Sequence, residues 1–231
     1  MMKSILVGIA LVAVASVAGP PIQAQDLQQK LAAAKQAAAL NQKALRSYSW
    51  LEKTELSLKG EVKNTKVEMC KYGPDGKVQK TAVVEPPPAE KQRGLKGKIV
   101  AKKTEEMKDE LEAAVALVQQ YVPPSPDKMQ VVMNAGTASV NQAGPGALAF
   151  KFPGYEKPGD ALTITFDAAV TALRQISVAT WLDKPDATVT LNVTMQSAPD
   201  GLSYPGTIAL SIPSSNIAVR ITKSNYQKLA Q

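Results

Sequence analysis

The 231-residue chain carries 27 Lys and Arg against 20 Asp and Glu, a net charge of +7, with no histidine and a single cysteine. The missing histidine excludes Ser-His-Asp and Cys-His nucleophilic arrangements and histidine-based metal sites, and the lone Cys70 excludes an internal disulfide. At 45% apolar and 5% aromatic residues the composition is globular, and the mild positive charge permits attraction to anionic surfaces without requiring it.

The first residues place Lys3 before an uninterrupted apolar run from Ile5 to Val17, followed by Gly19-Pro20-Pro21 and Ile22-Gln23-Ala24. This is the plan of a secretory signal peptide, residues 1–24, cleaved after Ala24. The run is about 13 residues, short of the roughly 20 that span a bilayer as a helix. No cysteine follows it that could be lipidated, so a soluble periplasmic or secreted protein is expected, folded as one domain over 25–231.

Asp26 can cap an Ala-rich helix over 26–45, with Leu27, Leu31, Ala34, Ala38 and Leu45 on one narrow stripe. From Tyr48 the period changes to two. Trp50, Thr54, Leu56 and Leu58 share one face and Lys53, Glu55, Ser57 and Lys59 the other, which is the pattern of a half-buried strand. A second strand over 62–72 leads through Gly73-Pro74-Asp75-Gly76 into a third over 77–84. Pro fixes φ and Gly accepts positive φ, so this is a predicted hairpin.

Residues 85–103 form a basic connection. Pro86-Pro87-Pro88 stiffens its start, and Lys91, Arg93, Lys96, Lys98, Lys102 and Lys103 follow with no acid between Lys91 and Lys103. The cations are not interleaved with aromatics, so no nucleic-acid role is expected. A solvated connector is the plainer reading; weak contact of Lys91, Arg93, Lys96 and Lys98 with an anionic membrane surface is the functional alternative. RGLKGK lacks the Gly-Lys-Ser/Thr ending of a phosphate loop.

A helical insertion is expected over 104–136. Thr104 serves as N-cap, Met107, Leu111, Val115, Val118 and Val122 form the stripe, Pro123-Pro124 stops the first helix, and Ser125-Pro126 starts a second that ends near Gly136. The acids of the first helix, Glu105, Glu106, Asp109, Glu110 and Glu112, form its solvated face rather than a catalytic pair.

From 147 to 224 alternating strands follow one another. Leu162, Ile164 and Phe166, then Ile176 and Val178, then Val189, Leu191 and Val193 occupy the apolar face, followed by Ile208, Leu210, Ile212, Ile217, Val219 and Ile221. Short turns such as Ala198-Pro199-Asp200-Gly201 imply an antiparallel meander. The acids Asp160, Asp167, Asp183, Asp186 and Asp200 fall at turns, where they accept backbone hydrogen bonds, and form no Asp-x-Asp-x-Asp-Gly calcium loop. No metal site and no cofactor is expected. Cys70, between Met69 and Lys71, reads as a buried small hydrophobe rather than a reactive thiol.

The expected fold class is α+β: one antiparallel sheet of about eight strands, its apolar face covered by helices. The element order, the entry through Tyr48-Ser49-Trp50 and the stretch LTITFDAAVTALRQISVATWL, with its Phe166-Asp167 turn and Arg174-Gln175-Ile176, resemble the bacterial periplasmic lipoprotein-carrier family over most of residues 26–231. The hairpin CKYGPDGKVQKT is also similar to that of uncharacterised secreted bacterial proteins. The carrier resemblance implies a curved half-barrel filled by helices, with acyl chains held between sheet and helices. In such carriers an arginine is associated with opening and closing; Arg46 and Arg174 are its nearest counterparts here.

The resemblance makes the chain a non-enzymatic binding protein for a lipid or acylated ligand. The lining residues would be Trp50, Leu56, Leu58, Met107, Leu111, Val115, Leu162, Ile164, Phe166, Val189, Leu191 and Val193. The alternative is a structural or interaction module of the envelope with a filled core. An apolar internal cavity favours the first; close packing of Met107, Leu111 and Val115 on the strands favours the second.

Overall fold

The computed structural model describes residues 36, 39–84, 95–167, 169, 172–198 and 200–229. The expected signal peptide, the start of the first helix, Pro86-Pro87-Pro88, Lys91 and Arg93 lie outside the described residues.

A helix, α1, described over 39–45, precedes three strands: β1 (Tyr48–Leu58), β2 (Glu61–Tyr72) and β3 (Val78–Val84). Two helices follow, α2 (Leu95–Val118) and α3 (Pro126–Asn134). Among the described residues seven strands follow: β4 (Ser139–Gln142), β5 (Ala147–Pro153), β6 (Ala161–Asp167), β7 (Leu173–Trp181), β8 (Thr188–Ser197), β9 (Ser203–Ile212) and β10 (Ile217–Lys228). They form one open antiparallel sheet in the order β3-β2-β1-β10-β9-β8-β7-β6-β5-β4.

The sheet thus has ten strands rather than about eight. The strand most easily missed is β4, whose sequence SVNQ holds one apolar residue. Its extended state comes from pairing with β5, Val140 opposite Phe150. The β1–β10 pairing joins the first hairpin to the last strand and makes the sheet continuous. At the β2–β3 turn, Gly73 N–H donates to Lys77 O (2.8 Å), Gly76 N–H to Gly73 O (2.9 Å) and Lys77 N–H to Asp75 Oδ1 (3.0 Å), with Gly76 at φ +76°. That φ is open to Gly without the Cβ penalty other residues meet.

Helix α2 starts at Leu95, inside the expected basic connection, so Lys96 and Lys98 are helical in backbone and Thr104 lies within the helix instead of capping it. Leu, Lys and Ala are good helix formers, and one Gly at position 97 is tolerated. Helix α3 begins as expected. Ser125 caps it, its Oγ accepting from Lys128 N–H at 3.5 Å, and Pro126 occupies the first turn, where a missing N–H costs nothing.

One face of the sheet meets the helices. Ala114, Val118, Tyr121, Met129 and Val132 pack with Phe150, Phe152, Leu162, Ile164, Phe166, Ile176, Val178, Val189, Leu191, Val193, Leu210, Ile212 and Ile217 in one buried cluster. Met107 and Leu111 are partly buried against it. The contact stripe of α2 therefore runs Met107, Leu111, Ala114, Val118, in steps of four and three, and Tyr121 continues it just past the end of the helix. Val115 is one position, about 100°, off that stripe and is exposed. Ala114 takes the place expected for Val115 because steps of three and four track one side of a straight helix, whereas repeated steps of four drift around it.

Candidate functional site

The helix-covered face changes character along β1. Leu56 and Leu58, at one end, join the apolar cluster together with Val219 and Ile208 of the neighbouring strands. Two strand steps beyond Thr54, at the same parity, stand Glu52 and then Trp50, both buried. Glu52 lies directly opposite Glu68 of β2, and Trp50 opposite Cys70.

Two carboxylates facing each other across strands repel unless cations intervene. Three lysines do so. Lys80 of β3 donates a hydrogen bond to Glu52 and stands 3.7 Å from Glu68; Lys223 of β10 is 3.6 Å from the second Glu52 oxygen; Lys66 pairs with Glu68 at 2.6 Å. Burial pushes the Glu52 carboxyl up, but the Lys80 hydrogen bond and the charges of Lys223 and Lys80 outweigh it and leave Glu52 below the usual carboxylate value. For Lys80, burial pushes the ammonium down, and the bond and charge of Glu52 overcome this and raise it. Cys70 is fully buried, and burial, with the repulsion of Glu52, pushes its thiol up. It is therefore the inert hydrophobe expected from the sequence.

Four aromatic rings close this end. Tyr204 stacks on Tyr226 at 3.9 Å between centroids, Tyr226 on Trp50 at 5.4 Å, and Tyr72 tilts against Trp50 at 5.5 Å. The Lys223 ammonium lies 5.6 Å from the Trp50 ring. The indole N–H of Trp50 is buried; it lies near enough to Glu52 to help lower that carboxyl, yet closes no hydrogen bond of normal geometry.

A second buried polar group ties the helices to the sheet. Tyr121, just after α2, donates to Asp160 Oδ2 at 2.5 Å, and Thr180 Oγ1 is 2.8 Å from the same hydroxyl. With the phenol proton committed to Asp160, Thr180 is the donor. Burial, reinforced by the Asp160 bond, raises the Tyr121 phenol far above its ordinary value. Asp160 Oδ2 also accepts the N–H groups of Glu156 (3.1 Å) and Lys157 (2.9 Å), the turn role expected of it. Asp167 and Asp200 act alike, accepting from Ala169 N–H (3.0 Å) and Leu202 N–H (3.3 Å).

The expected lining residues divide into four groups. Leu162, Ile164, Phe166, Val189, Leu191 and Val193 are buried in the packed cluster; Leu56, Leu58, Met107 and Leu111 are partly buried at its border; Trp50 stands apart among the tyrosines; and Val115, against expectation, is exposed. Arg174 pairs with Asp167, and the Arg46 guanidinium lies against Gly76, so neither of these arginines is placed with the lining residues. The Glu52–Glu68 pair and its lysines are absent from the sequence expectations. The available signal was Glu52 itself, an acid at the inward parity set by Trp50 and Leu56.

Among the described residues no helix is long and apolar enough to cross a membrane. No family model matches the chain, and no curated protein sequence matches it. A solved structure to which it is similar is a DUF1329 family protein from Desulfovibrio piger ATCC 29098, 11% identical, covering 86% of this chain and 92% of that one at a TM-score of 0.37, too low a similarity to bear on function.

Proposed function

We propose that this is a non-enzymatic secreted or periplasmic binding protein that holds the apolar part of a lipid or acylated ligand between the sheet, curved as a half-barrel, and α2. The observation that carries the reading is the border of the core. Leu56, Leu58, Ile208 and Val219 on the sheet and Met107 and Leu111 on α2 are only partly buried, forming an apolar strip that leads from the packed cluster toward the aromatic and ionic end. Small-molecule sites combine such apolar walls with a few fixed polar groups, which Lys80, Lys223 and the tyrosines supply here.

Native mass spectrometry of the full chain purified from the cells that make it tests the reading, followed by uptake of a fluorescent fatty acid by the delipidated protein. The expected result is a co-purifying amphiphile and saturable uptake that Leu56→Asp abolishes with the near-UV circular dichroism unchanged. A chain that carries no amphiphile and takes up no fatty acid overturns it. The second reading, a structural or interaction module of the envelope, is favoured by one observation: Met107 and Leu111 already pack on the buried strand residues.

A further inference from the structure

The opposite face of the sheet carries a separate feature. At one end of β7 and β8 a cleft of about 370 Å³ is lined by Pro158, Gly159, Trp181, Pro185, Thr188 and Thr190, among others. Its size falls at the low end of the roughly 300–1,000 Å³ typical of small-ligand sites. Trp181 stands directly opposite Thr188, and Ala179 opposite Thr190, so a half-exposed indole borders a floor of small and hydroxyl-bearing side chains.

That indole is held in place before any ligand arrives. The Lys157 ammonium lies 3.7 Å from the ring centroid and donates to the carbonyls of Trp181 and Leu182. Gly159, at φ +87°, brings its backbone close to the indole nitrogen; a Cβ there would sit 3.9 Å from Nε1. A side chain fixed in this way loses little freedom on binding.

Leading away from the cleft, outward positions of β6–β8 hold Thr163, Thr165, Gln175, Ser177, Asn192 and Thr194; charge enters at the borders of this track, with Lys151 of β5 opposite Thr163 and Asp167, paired with Arg174, at the far end of β6. Three are pre-ordered. Gln175 Nε2 donates to Ser177 Oγ (2.8 Å), and Ser177 Oγ donates to Asn192 Oδ1 (2.8 Å). Those bonds use neither the Asn192 amide nitrogen nor the Gln175 amide oxygen, so a donor and an acceptor remain outside the trio's own bonds.

We infer that this face is a binding surface for a neutral glycan, with one sugar ring stacked in the cleft against Trp181 and the following units lying along the uncharged hydroxyl and amide track. A pyranose offers an apolar C–H face to a fixed aromatic ring and hydroxyls that both donate and accept, which is the complement of an indole beside Thr, Asn and Gln. A nucleic acid or an acidic polymer would call for a run of free cations, and Lys157, the cation at the cleft, is committed to carbonyls and ring. The inference is independent of the lipid reading, since it uses the other face of the sheet.

The chain has two tryptophans, and Trp50 is 2% exposed, so ligand-induced change in tryptophan emission reports on Trp181. The full-length mature protein is titrated with maltohexaose, cellohexaose, xylohexaose and chitohexaose, and with polygalacturonate as the acidic control. The expected result is a saturable emission shift with at least one neutral hexasaccharide, insensitive to salt. Isothermal titration should show binding weakened at least about tenfold by Trp181→Ala, in part restored by Trp181→Tyr, and weakened by Asn192→Ala. The variants should keep the parent melting temperature to within the small change expected of surface substitutions. No response to any neutral member, salt-sensitive response to polygalacturonate alone, or binding that survives both Trp181→Ala and Asn192→Ala overturns the inference.

Discussion

Lys80, on the edge strand, reaches past β2 to donate a hydrogen bond to Glu52 on β1, and in doing so also approaches Glu68. The Glu52 carboxylate is buried, at 5% exposure, whereas the Lys80 side chain is 42% exposed. Removing a partner from a fully buried pair costs roughly 3–5 kcal/mol, and partial exposure reduces that. Glu52→Ala should therefore lower stability by about 2 kcal/mol in urea unfolding. Lys63→Ala, which breaks a solvent-exposed pair with Glu61, should leave the unfolding midpoint close to that of the parent. Equal effects would show that the buried network carries no more weight than a surface pair.

The same network sets a pH dependence. The folded Glu52 carboxyl titrates below its ordinary 4.5, so the stability it contributes is present above that value and is lost as pH falls through the folded one. Lys80 titrates above its ordinary 10.5, so its contribution is present below that value and lost as pH rises through the folded one. Calorimetry should find a melting temperature that drops at both extremes, with the acid-side drop reduced in Glu52→Gln. An unchanged acid limb in that variant would assign the dependence to other groups.

Helix α2 has a sharp distinction between neighbours. Leu111→Ala, at the core border, should cost about 2 kcal/mol, whereas Val115→Ala should stay within about 0.5 kcal/mol. Ala114, fully buried, has no room for a larger side chain, so Ala114→Leu should cost about 1–3 kcal/mol through overpacking. A larger loss from Val115→Ala than from Leu111→Ala would mean that the helix is rotated from the position described.

Cys70 should react slowly with a disulfide reagent in the native protein and rapidly once unfolded, because burial both blocks access and raises the thiol pKa. The ratio of native to denatured rates measures this. Comparable rates would place Cys70 at the surface.

Gly206 should resist substitution. A Cβ there would overlap Cγ and Cδ of Gln196, which packs over it from β8. Gly206→Ala should destabilise by roughly 1–2 kcal/mol, and pairing it with Gln196→Ala should recover most of the loss, since the clash lies with that side chain. A double variant no more stable than Gly206→Ala would locate the strain in the backbone instead.

Much of the fold is legible in the chain because it is written in local periodicity. Alternation of two marks Leu162-Ile164-Phe166, Ile176-Val178 and Val189-Leu191-Val193, and burial follows that parity. Pro74-Asp75-Gly76 and Ser125-Pro126 mark a turn and a helix start through backbone preferences that need no tertiary partner. The spacing of three and four also marks α2, although not whether Ala114 or Val115 faces the sheet. The choice depends on the sheet against which the helix lies. Strand β4 escapes notice because SVNQ is four residues with one apolar side chain and shows no alternation of its own; its extended state comes from pairing with β5, which begins at Ala147.

The chain by itself therefore determined the class, an antiparallel sheet with helices on its apolar face, since side-chain period and turn chemistry are properties of neighbouring residues. Tertiary structure alone decided the sites. Glu52, Glu68 and Lys80 come together through the pairing register of β1, β2 and β3, and Lys223 joins them only because β10 returns to pair with β1. Tyr121, Asp160 and Thr180 meet because the end of α2 settles over β6 and β7, and Lys157 finds Trp181 across two turns. Such convergences have no sequence spacing, for they arise where long-range pairing brings together groups whose charge and hydrogen-bonding demands must then be satisfied by one another.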